Sequence, residues 1–586
     1  MITLTIDGEE VTVSEGTTIL EAARRINIKI PHLCYMDGLV PHGACGICLV
    51  EVEGERNLTR SCVRPVQEGM KVYTSNARIR NIRKMLIELL LSDHPTDCFT
   101  CDRSLNCELK ELASNLGVKN IRYEKTLNQR KKDETSLAII RNPEKCVLCG
   151  RCVRVCNDVQ TVGALDFANR GAELIVTTGL KKGLGNSECV NCGQCIHVCP
   201  VAAITEKKSI DDVWKAISDP AKHVVVQEAP AVRVALGEAL GLPPGTLVTG
   251  KMHAALKKLG FDTVFDTNFS ADLTIMEEGS ELVKRIKEGG ALPLITSCCP
   301  GWVKFAEHFY PDLLQHISTC KSPQQMFGAL AKTYFAEKAG LNPANIVSVS
   351  VMPCTAKKFE AQRPEMCSSG YRDVDYVLTT REIASMIKEA GIDFENLPDE
   401  PAERLMGYYS GAATIFGVTG GVMEAALRTA YKLITGYDLE DIDIEPVRGM
   451  RGVRTSSVEA NGMTLRVAVA HGLGNARKLL EEIRKGNSPY HFIEIMACPG
   501  GCVGGGGQPL GFDITLRNTR GRSLYKEDKN LPCRRSHQNP AIEKLYMEYL
   551  GEPLGEKSHH LLHTSYTPRN GVTDLNEILE ICSKRA

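Results

Sequence analysis

Apolar and polar residues alternate from the first positions of the chain: Ile2, Leu4 and Ile6, then Val11 and Val13 beyond Asp7-Gly8. A period of two on both sides of an Asp-Gly pair predicts an antiparallel hairpin. Thr17-Thr18 followed by Ile-Leu-Glu-Ala-Ala-Arg-Arg predicts a capped helix, and Lys71-Val72-Tyr73 a late strand. Residues 1–78 therefore read as a small α+β module of hairpin, helix, cysteine loop and strand. Residues 79–125 read as a charged, helical stretch holding His94 and three cysteines. The run Gln129-Arg-Lys-Lys-Asp-Glu has the polarity of a linker or solvated face. Residues 138–208 carry two cysteine runs of one pattern, an internal repeat. From 209 to 586 the texture changes: apolar strands such as Val224-Val-Val and Ile346-Val-Ser-Val-Ser-Val-Met alternate with amphipathic helices, as in α/β domains. The expected fold class is a multidomain α+β and α/β chain, and 586 residues suit roughly three to five cores.

Composition alters this picture at one point. The net charge is -1, the pI about 6.9 and the hydrophobic content 43%, so a large core is expected and neither nucleic acid nor an anionic membrane is called for. Two Trp and 5% aromatics leave little for stacking on bases. No stretch approaches the ~20 apolar residues of a membrane span. Met1-Ile-Thr-Leu-Thr-Ile-Asp reads as a strand, not a secretory signal, and no hydrophobic run follows Arg24-Arg25. A cytoplasmic location is expected. Cysteine is the outlier: 24 residues, bunched in short-spaced groups. In a reducing compartment such groups point to metal or redox chemistry before disulfides.

Cys34-x10-Cys45-x2-Cys48-x13-Cys62, with Gly43 and Gly46 in its loop, can wrap a 2Fe–2S cluster, zinc being the alternative. Its first gap is longer than that of plant-type ferredoxins. His94-x3-Cys98-x2-Cys101-x5-Cys107 suits a mixed His/Cys3 site for a 4Fe–4S cluster or for zinc, and spacing leaves both open. Cys146-x2-Cys149-x2-Cys152-x3-Cys156 and Cys189-x2-Cys192-x2-Cys195-x3-Cys199-Pro200 form the doubled run of two-cluster bacterial ferredoxins. In that pattern the fourth cysteine of each run ligates the other cluster. One 4Fe–4S centre is thus expected on Cys146, Cys149, Cys152 and Cys199, the other on Cys189, Cys192, Cys195 and Cys156. Asn157 stands where the first run often has proline. Four clusters in one chain make a wire for electrons.

Three later segments hold the remaining paired cysteines: Thr296-Ser-Cys298-Cys299-Pro-Gly-Trp302, Met352-Pro-Cys354-Thr-Ala-Lys357-Lys358 and Met496-Ala-Cys498-Pro-Gly-Gly-Cys502. By chemistry alone Cys299, Cys354, Cys498 and Cys502 can hold one more cubane, and the glycines from Gly500 to Gly507 allow close backbone approach to a large inorganic group. Spacing reveals no second metal unit. In order and content, however, the three segments resemble the signature motifs of iron–iron hydrogenases, and the resemblance runs through essentially the whole chain. It implies four modules: a β-grasp 2Fe–2S ferredoxin-like domain (1–78), a His/Cys3 4Fe–4S domain (79–125), a two-cluster ferredoxin-like domain (138–208) and an α/β hydrogenase domain (209–586). It also implies an H-cluster, a cubane joined through one cysteine to a diiron unit with CO, cyanide and azadithiolate. Cys299, Cys354, Cys498 and Cys502 would hold the cubane, and Cys502 would bridge to the diiron unit. Lys357 would donate to a cyanide nitrogen, and Met352 and Met496 would flank the diiron pocket.

Cys298 neighbours a ligand yet is spare, and such a thiol can relay protons. Helical spacing puts Glu278, Glu281 and Arg285 on one face, which by itself reads as a solvated salt-bridged stripe. The resemblance turns this into a proton path, Cys298–Glu278–Ser318–Glu281. Cys320, Cys367, Cys533 and Cys582 are left as small buried hydrophobes, and His559, His560 and His563 as surface or interface histidines. The activity implied is reversible oxidation of H2 in an anaerobic setting. No Gly-rich dinucleotide fingerprint occurs, so NAD(P) would bind on another subunit carrying flavin and iron–sulfur sites. Cys498-Pro-Gly-Gly-Cys502 and Thr319-Cys320-Lys321 look more like NAD(P)-linked complexes than single-chain ferredoxin-linked enzymes. The rivals are a pure electron-transfer subunit, set aside by the segments after residue 290, and a hydrogenase-like assembly factor, set aside by Cys298 and Lys357. A hydrogen sensor would need a sensory module that the sequence does not show.

Overall fold

The computed structural model describes residues 1–124 and 130–569, so Gln129 and Cys582 lie outside the described residues. The chain forms two compact units: residues 1–187 with 194–205, and residues 188–193 with 206 onward. The division runs inside the second cysteine run.

In the first unit, Ile2–Ile6 pairs antiparallel with Glu9–Val13, Ile2 facing Val13, and parallel with Lys71–Tyr73. Leu49–Val52 and Thr59–Arg60 complete a five-stranded sheet. The helix Ile19–Arg25 starts at a capping box in which Thr18 and Glu21 satisfy each other's backbone N–H. Its Ile19, Leu20, Ala22 and Ala23 pack on Leu4, Ile6, Val13, Val50 and Val72, each larger side chain contributing about 1.5–3 kcal/mol by burial. A helix from Ala77 to Ser92 runs straight across position 78. The polar run after 129 is in part packed: Asp133 is buried, accepts from Leu184 N–H at 3.0 Å and bridges to Arg141 through the backbone. A buried carboxylate that caps a distant loop is not a solvated face, which corrects the reading from polarity.

The second unit is built on two four-stranded sheets. In one, Thr263–Asp266, His223–Glu228, Ile346–Met352 and Tyr376–Thr379 are neighbours in that order and all parallel. Parallel strands covered on both faces must be apolar throughout, as the burial of Val224, Val225 and Val226 shows. In the other, Leu294–Ile295, Phe492–Met496 and Met463–His471 run parallel and Val453–Ala460 joins antiparallel. Parallel strands send their carboxyl ends the same way, and loops leaving those ends can converge on a ligand. Ala229, Thr267, Pro353-Cys354 and Ala497-Cys498 all stand just past such ends. Among the described residues no helix is long and apolar enough to cross a membrane.

Candidate active site

The strand-end loops of the second unit surround a pocket lined by Cys298, Cys299, Cys354, Cys498 and Cys502, with Met352, Met496, Thr267, Gln324, Phe416 and Lys357. All four cysteines expected to share a cubane therefore face one space, and both methionines line it. Burial pushes the Cys354 thiol up to about 12 and raises Cys299, Cys498 and Cys502 as well. Four thiols in a dry pocket ionise only against a strong cationic partner, which is what iron provides, so the donor set fits an iron–sulfur group.

The loops close because several positions have no side chain. A Cβ on Gly505 would lie 2.1 Å from the Pro353 carbonyl, and one on Gly506 would lie 2.3 Å from the Cys192 carbonyl. Thr355, next to Cys354, donates to the Asn191 carbonyl at 2.7 Å, and Cys498 Sγ lies 3.9 Å from the Cys192 carbonyl. Residues 188–193 thus pack directly on the loops that carry the cavity cysteines.

Lys357 donates to the Cys298 carbonyl at 3.1 Å and to Glu360 Oε2 at 2.8 Å. Burial, the largest single influence, disfavours its charged form, but Glu360, with Cys354 and Cys298, holds Lys357 above the ordinary lysine range. The same Glu360 oxygen accepts from Ser322 Oγ at 2.9 Å and Gln324 Nε2 at 3.1 Å. Sequence reading missed Glu360, although the i,i+3 spacing from Lys357 was a signal. Gln324, Thr267 and Phe416 gave none, because tertiary structure alone brings them to the pocket.

The helix Thr267–Glu288 carries the acidic residues. Glu278 is 1% exposed and Glu281 7%, so they are not the solvated stripe that spacing alone suggested. Neither carboxylate oxygen of Glu278 makes a hydrogen bond of regular geometry, although Ser318 Oγ and the Ser297 N–H lie beside it. Burial, then the charge of Glu281, pushes its carboxyl up to about 8. Ser318 Oγ donates to Glu281 Oε2 at 2.8 Å, and Arg285 Nη2 to Glu281 Oε1 at 2.6 Å. Burial and the neighbouring Glu278 raise the Cys298 thiol well above its usual value. Cys298, Glu278, Ser318, Glu281 and Arg285 so form one electrostatically linked line.

Of the leftover residues, Cys320 is fully buried, whereas Cys367 and Cys533 are only half-buried and donate to carbonyls. His559 and His560 are exposed, but His563 is buried between Thr319 at 2.8 Å and Glu277 at 3.0 Å, which corrects the surface reading for that residue. No sequence signal marked Glu277, which also accepts from Tyr546, Ser558 and Leu554 N–H.

In the first unit, Cys146, Cys149, Cys152 and Cys199 line one cavity with Arg141, Val201 and Ile204. The two cysteine runs share a backbone device: Leu148 and Asn191 have φ of 51° and 59°, and Gly150 and Gly193 have 70° and 71°. A leucine held in the left-handed region costs about 1–2 kcal/mol, so this loop shape is imposed. The thiols of Cys34, Cys45, Cys48 and Cys62 lie beside one another and each shifts its neighbours' ionisation. His94 is buried with its Nδ1 lacking a hydrogen-bond partner, while Cys98 is exposed and Cys101 accepts from Lys145 at 3.4 Å.

Comparison with known proteins covers most of the chain. Residues 222–506 match the family described as iron only hydrogenase large subunit, C-terminal domain, and 514–569 match iron hydrogenase small subunit. Residues 1–77 match a 2Fe-2S iron-sulfur cluster binding domain, 83–122 the NADH-ubiquinone oxidoreductase-G iron-sulfur binding region, and 145–203 a 4Fe-4S dicluster domain. The chain is 52% identical to the NADP-reducing hydrogenase subunit HndD of Solidesulfovibrio fructosivorans over 97% of its own length and 99% of that protein. It is 44% identical to iron hydrogenase 1 of Clostridium pasteurianum over 97% of itself and 100% of that protein. Cytosolic iron-sulfur assembly component 3 of Rattus norvegicus is 34% identical over 64% of this chain and 80% of that one. Among solved structures, [FeFe]-hydrogenase HydA1 of Chlamydomonas reinhardtii matches with TM-score 0.56 and 47% identity, covering 62% of this chain and 99% of that one.

Proposed function

This chain belongs to the iron-only hydrogenase family, and from that premise we propose how its residues divide the work of interconverting H2 with two protons and two electrons. The observation that carries the reading is the cavity where four strand-end cysteines meet beside Lys357 and Cys298. Cys299, Cys354, Cys498 and Cys502 would hold the H-cluster. When bound, that group supplies an open iron site and a basic amine for splitting or forming H2. The rest falls to the protein. Lys357, kept charged and aimed by Glu360, would offer a charge-assisted hydrogen bond to the bound group. Met352, Met496 and Phe416 keep water out. Cys298 receives or returns the proton and passes it to Glu278, which burial keeps ready to hold one near neutral pH. Ser318 and Glu281 carry it on, with Arg285 beyond.

Accessory clusters would supply electron transfer: a 2Fe–2S cluster would be held by Cys34, Cys45, Cys48 and Cys62, a 4Fe–4S cluster by His94, Cys98, Cys101 and Cys107, and two more by the doubled run. The orphaned Nδ1 of His94 favours ligation at the second of these. By similarity to the NADP-reducing relative, the outer end of the wire meets a cytoplasmic partner subunit that handles NADP. The similarity to an assembly component supports a rival reading, but Cys298 and Lys357 inside the cavity favour the enzyme. Infrared spectroscopy of the matured protein is expected to show bands of metal-bound CO and cyanide together with H2 uptake. A correctly matured sample with neither would sink the reading.

A further inference from the structure

We propose that Lys304 supplies the positive charge that balances, and so raises the reduction potential of, the 4Fe–4S cluster to which Cys189 belongs. The proposal rests on the cluster assignment of Cys189 made above and on nothing about the diiron unit. Lys304 stands on the helix Pro300–Phe309, which begins at Cys299, and is 5% exposed. The start of this helix packs on the 189–193 loop: a Cβ at Gly301 would lie 3.7 Å from the Val190 carbonyl. The Lys304 ammonium sits 4.3 Å from the centre of the Phe359 ring and, among the described residues, has neither a hydrogen-bond nor a carboxylate partner.

The nearby carboxylates are engaged elsewhere. Glu307 holds Arg363 at 3.0 and 2.5 Å and Arg569 at 2.6 Å, and Glu365 holds Arg363 at 2.6 Å. Lys304, Arg363 and Arg569 thus face Glu307 and Glu365, which leaves one buried positive charge in excess. Its field reaches the next turn of the helix: burial, then Lys304 and Arg569, push the His308 imidazole down to about 4. Burial, the largest influence, brings the Lys304 ammonium down to about 8, so it stays mostly charged at neutral pH, and Cys189 is the strongest influence opposing burial. An unpaired ammonium in a dry interior is costly, whereas a thiolate-bound cluster is anionic and gains negative charge on reduction. A cation beside it favours the reduced form and lifts its potential. The position matters for traffic, because the Cys192 carbonyl lies 3.9 Å from Cys498 Sγ. The potential of this cluster sets how readily an electron moves between wire and cubane.

The test is a redox titration of the full-length, cluster-loaded chain followed by electron paramagnetic resonance. Lys304→Met is expected to lower the midpoint of one 4Fe–4S signal, the same signal that Cys189→Ser alters. Lys304→Arg is expected to restore it, and Phe359→Leu to leave it in place. Unchanged midpoints at parental iron content, or a shift in a signal that Cys189→Ser leaves alone, would overturn the proposal. If Lys304→Met loses iron, Lys304→Gln gives the same readout. Loss of this cluster from both neutral variants but not from Lys304→Arg supports a need for charge, and loss from all three overturns it. Because the readout is a cluster potential, a chain inactive toward H2 would remove the reading above and leave this one standing.

Discussion

At the scale of single residues, the acid line is defined by how much its members are denied water. Glu278 has a carboxyl raised from 4.5 to about 8, chiefly by burial. In the unfolded chain it ionises near 4.5, while in the folded chain it keeps its proton until about 8. The unfolded state therefore binds fewer protons across that window, and stability falls as pH rises from about 4.5 to 8. Glu278→Gln is expected to flatten this decline and make the second unit more resistant to heat at pH 8 than the parent, as thermal unfolding at pH 5 and pH 8 will show. On the proposed path the same substitution also removes a proton carrier. Glu278→Gln and Cys298→Ala are each expected to slow H2 evolution by about 10²–10⁴-fold, with the infrared bands of the diiron unit retained. Near-parental turnover in either variant takes that residue off the path. Arg233 makes a different case. It is fully buried between Glu228 at 2.6 Å, Asp266 at 2.8 Å and Glu527 at 3.2 Å, so Arg233→Met strands several carboxylates. A loss of about 3–5 kcal/mol is expected from chemical denaturation.

At the scale of elements, the cavity exists because parallel strands deliver their loops to one side and glycine lets those loops close. Gly506→Ala puts a methyl 2.3 Å from the Cys192 carbonyl and 2.7 Å from Gly193 Cα. Backbone must move at both places, so the variant is expected to lose iron from the cubane site while the 2Fe–2S signal of residues 1–78 persists; full iron content would contradict this account. The elements also show why some features were legible in the sequence and others were not. The hairpin Ile2–Val13 and the strand Ile346–Met352 are written in local periodicity, and they form as the pattern requires. The cysteine runs are legible because a metal cluster dictates ligand spacing over a few residues, and both runs adopt the same left-handed step at Leu148 and Asn191. Glu278 and Glu281 were ambiguous because helical spacing gives a shared face without saying whether that face meets water. Asp133 and His563 misled for the same reason: polarity reports the side chain, and burial is decided by partners tens or hundreds of residues away.

At the scale of the whole molecule, the chain has to move protons by one route and electrons by another, and the two can be separated. Within the first unit the cluster loops are tied to each other by arginines of the first ferredoxin-like run. Arg151 donates to the Tyr35 carbonyl at 3.0 Å and to Glu108, next to Cys107, at 2.7 and 2.8 Å. Arg154 donates to the Cys34 carbonyl at 2.6 Å. Loops from the Cys34 and Cys107 groups are therefore fixed to one short helix of the Cys146 run. Net H2 oxidation needs that wire, since electrons must leave before the next turnover. Exchange of H2 with deuterons of the solvent does not: on the proposed path it needs only the catalytic pocket and the line from Cys298 to Glu281. Cys149→Ala, which removes one wall of the Cys146 cavity, is expected to cut H2 uptake with an external acceptor by roughly tenfold or more while isotope exchange continues near the parental rate. Cys298→Ala should do the reverse to exchange, stopping it even though every cluster remains reducible. If Cys149→Ala abolished exchange as well, the cluster cavity of the first unit would be part of the catalytic apparatus, not only its conductor.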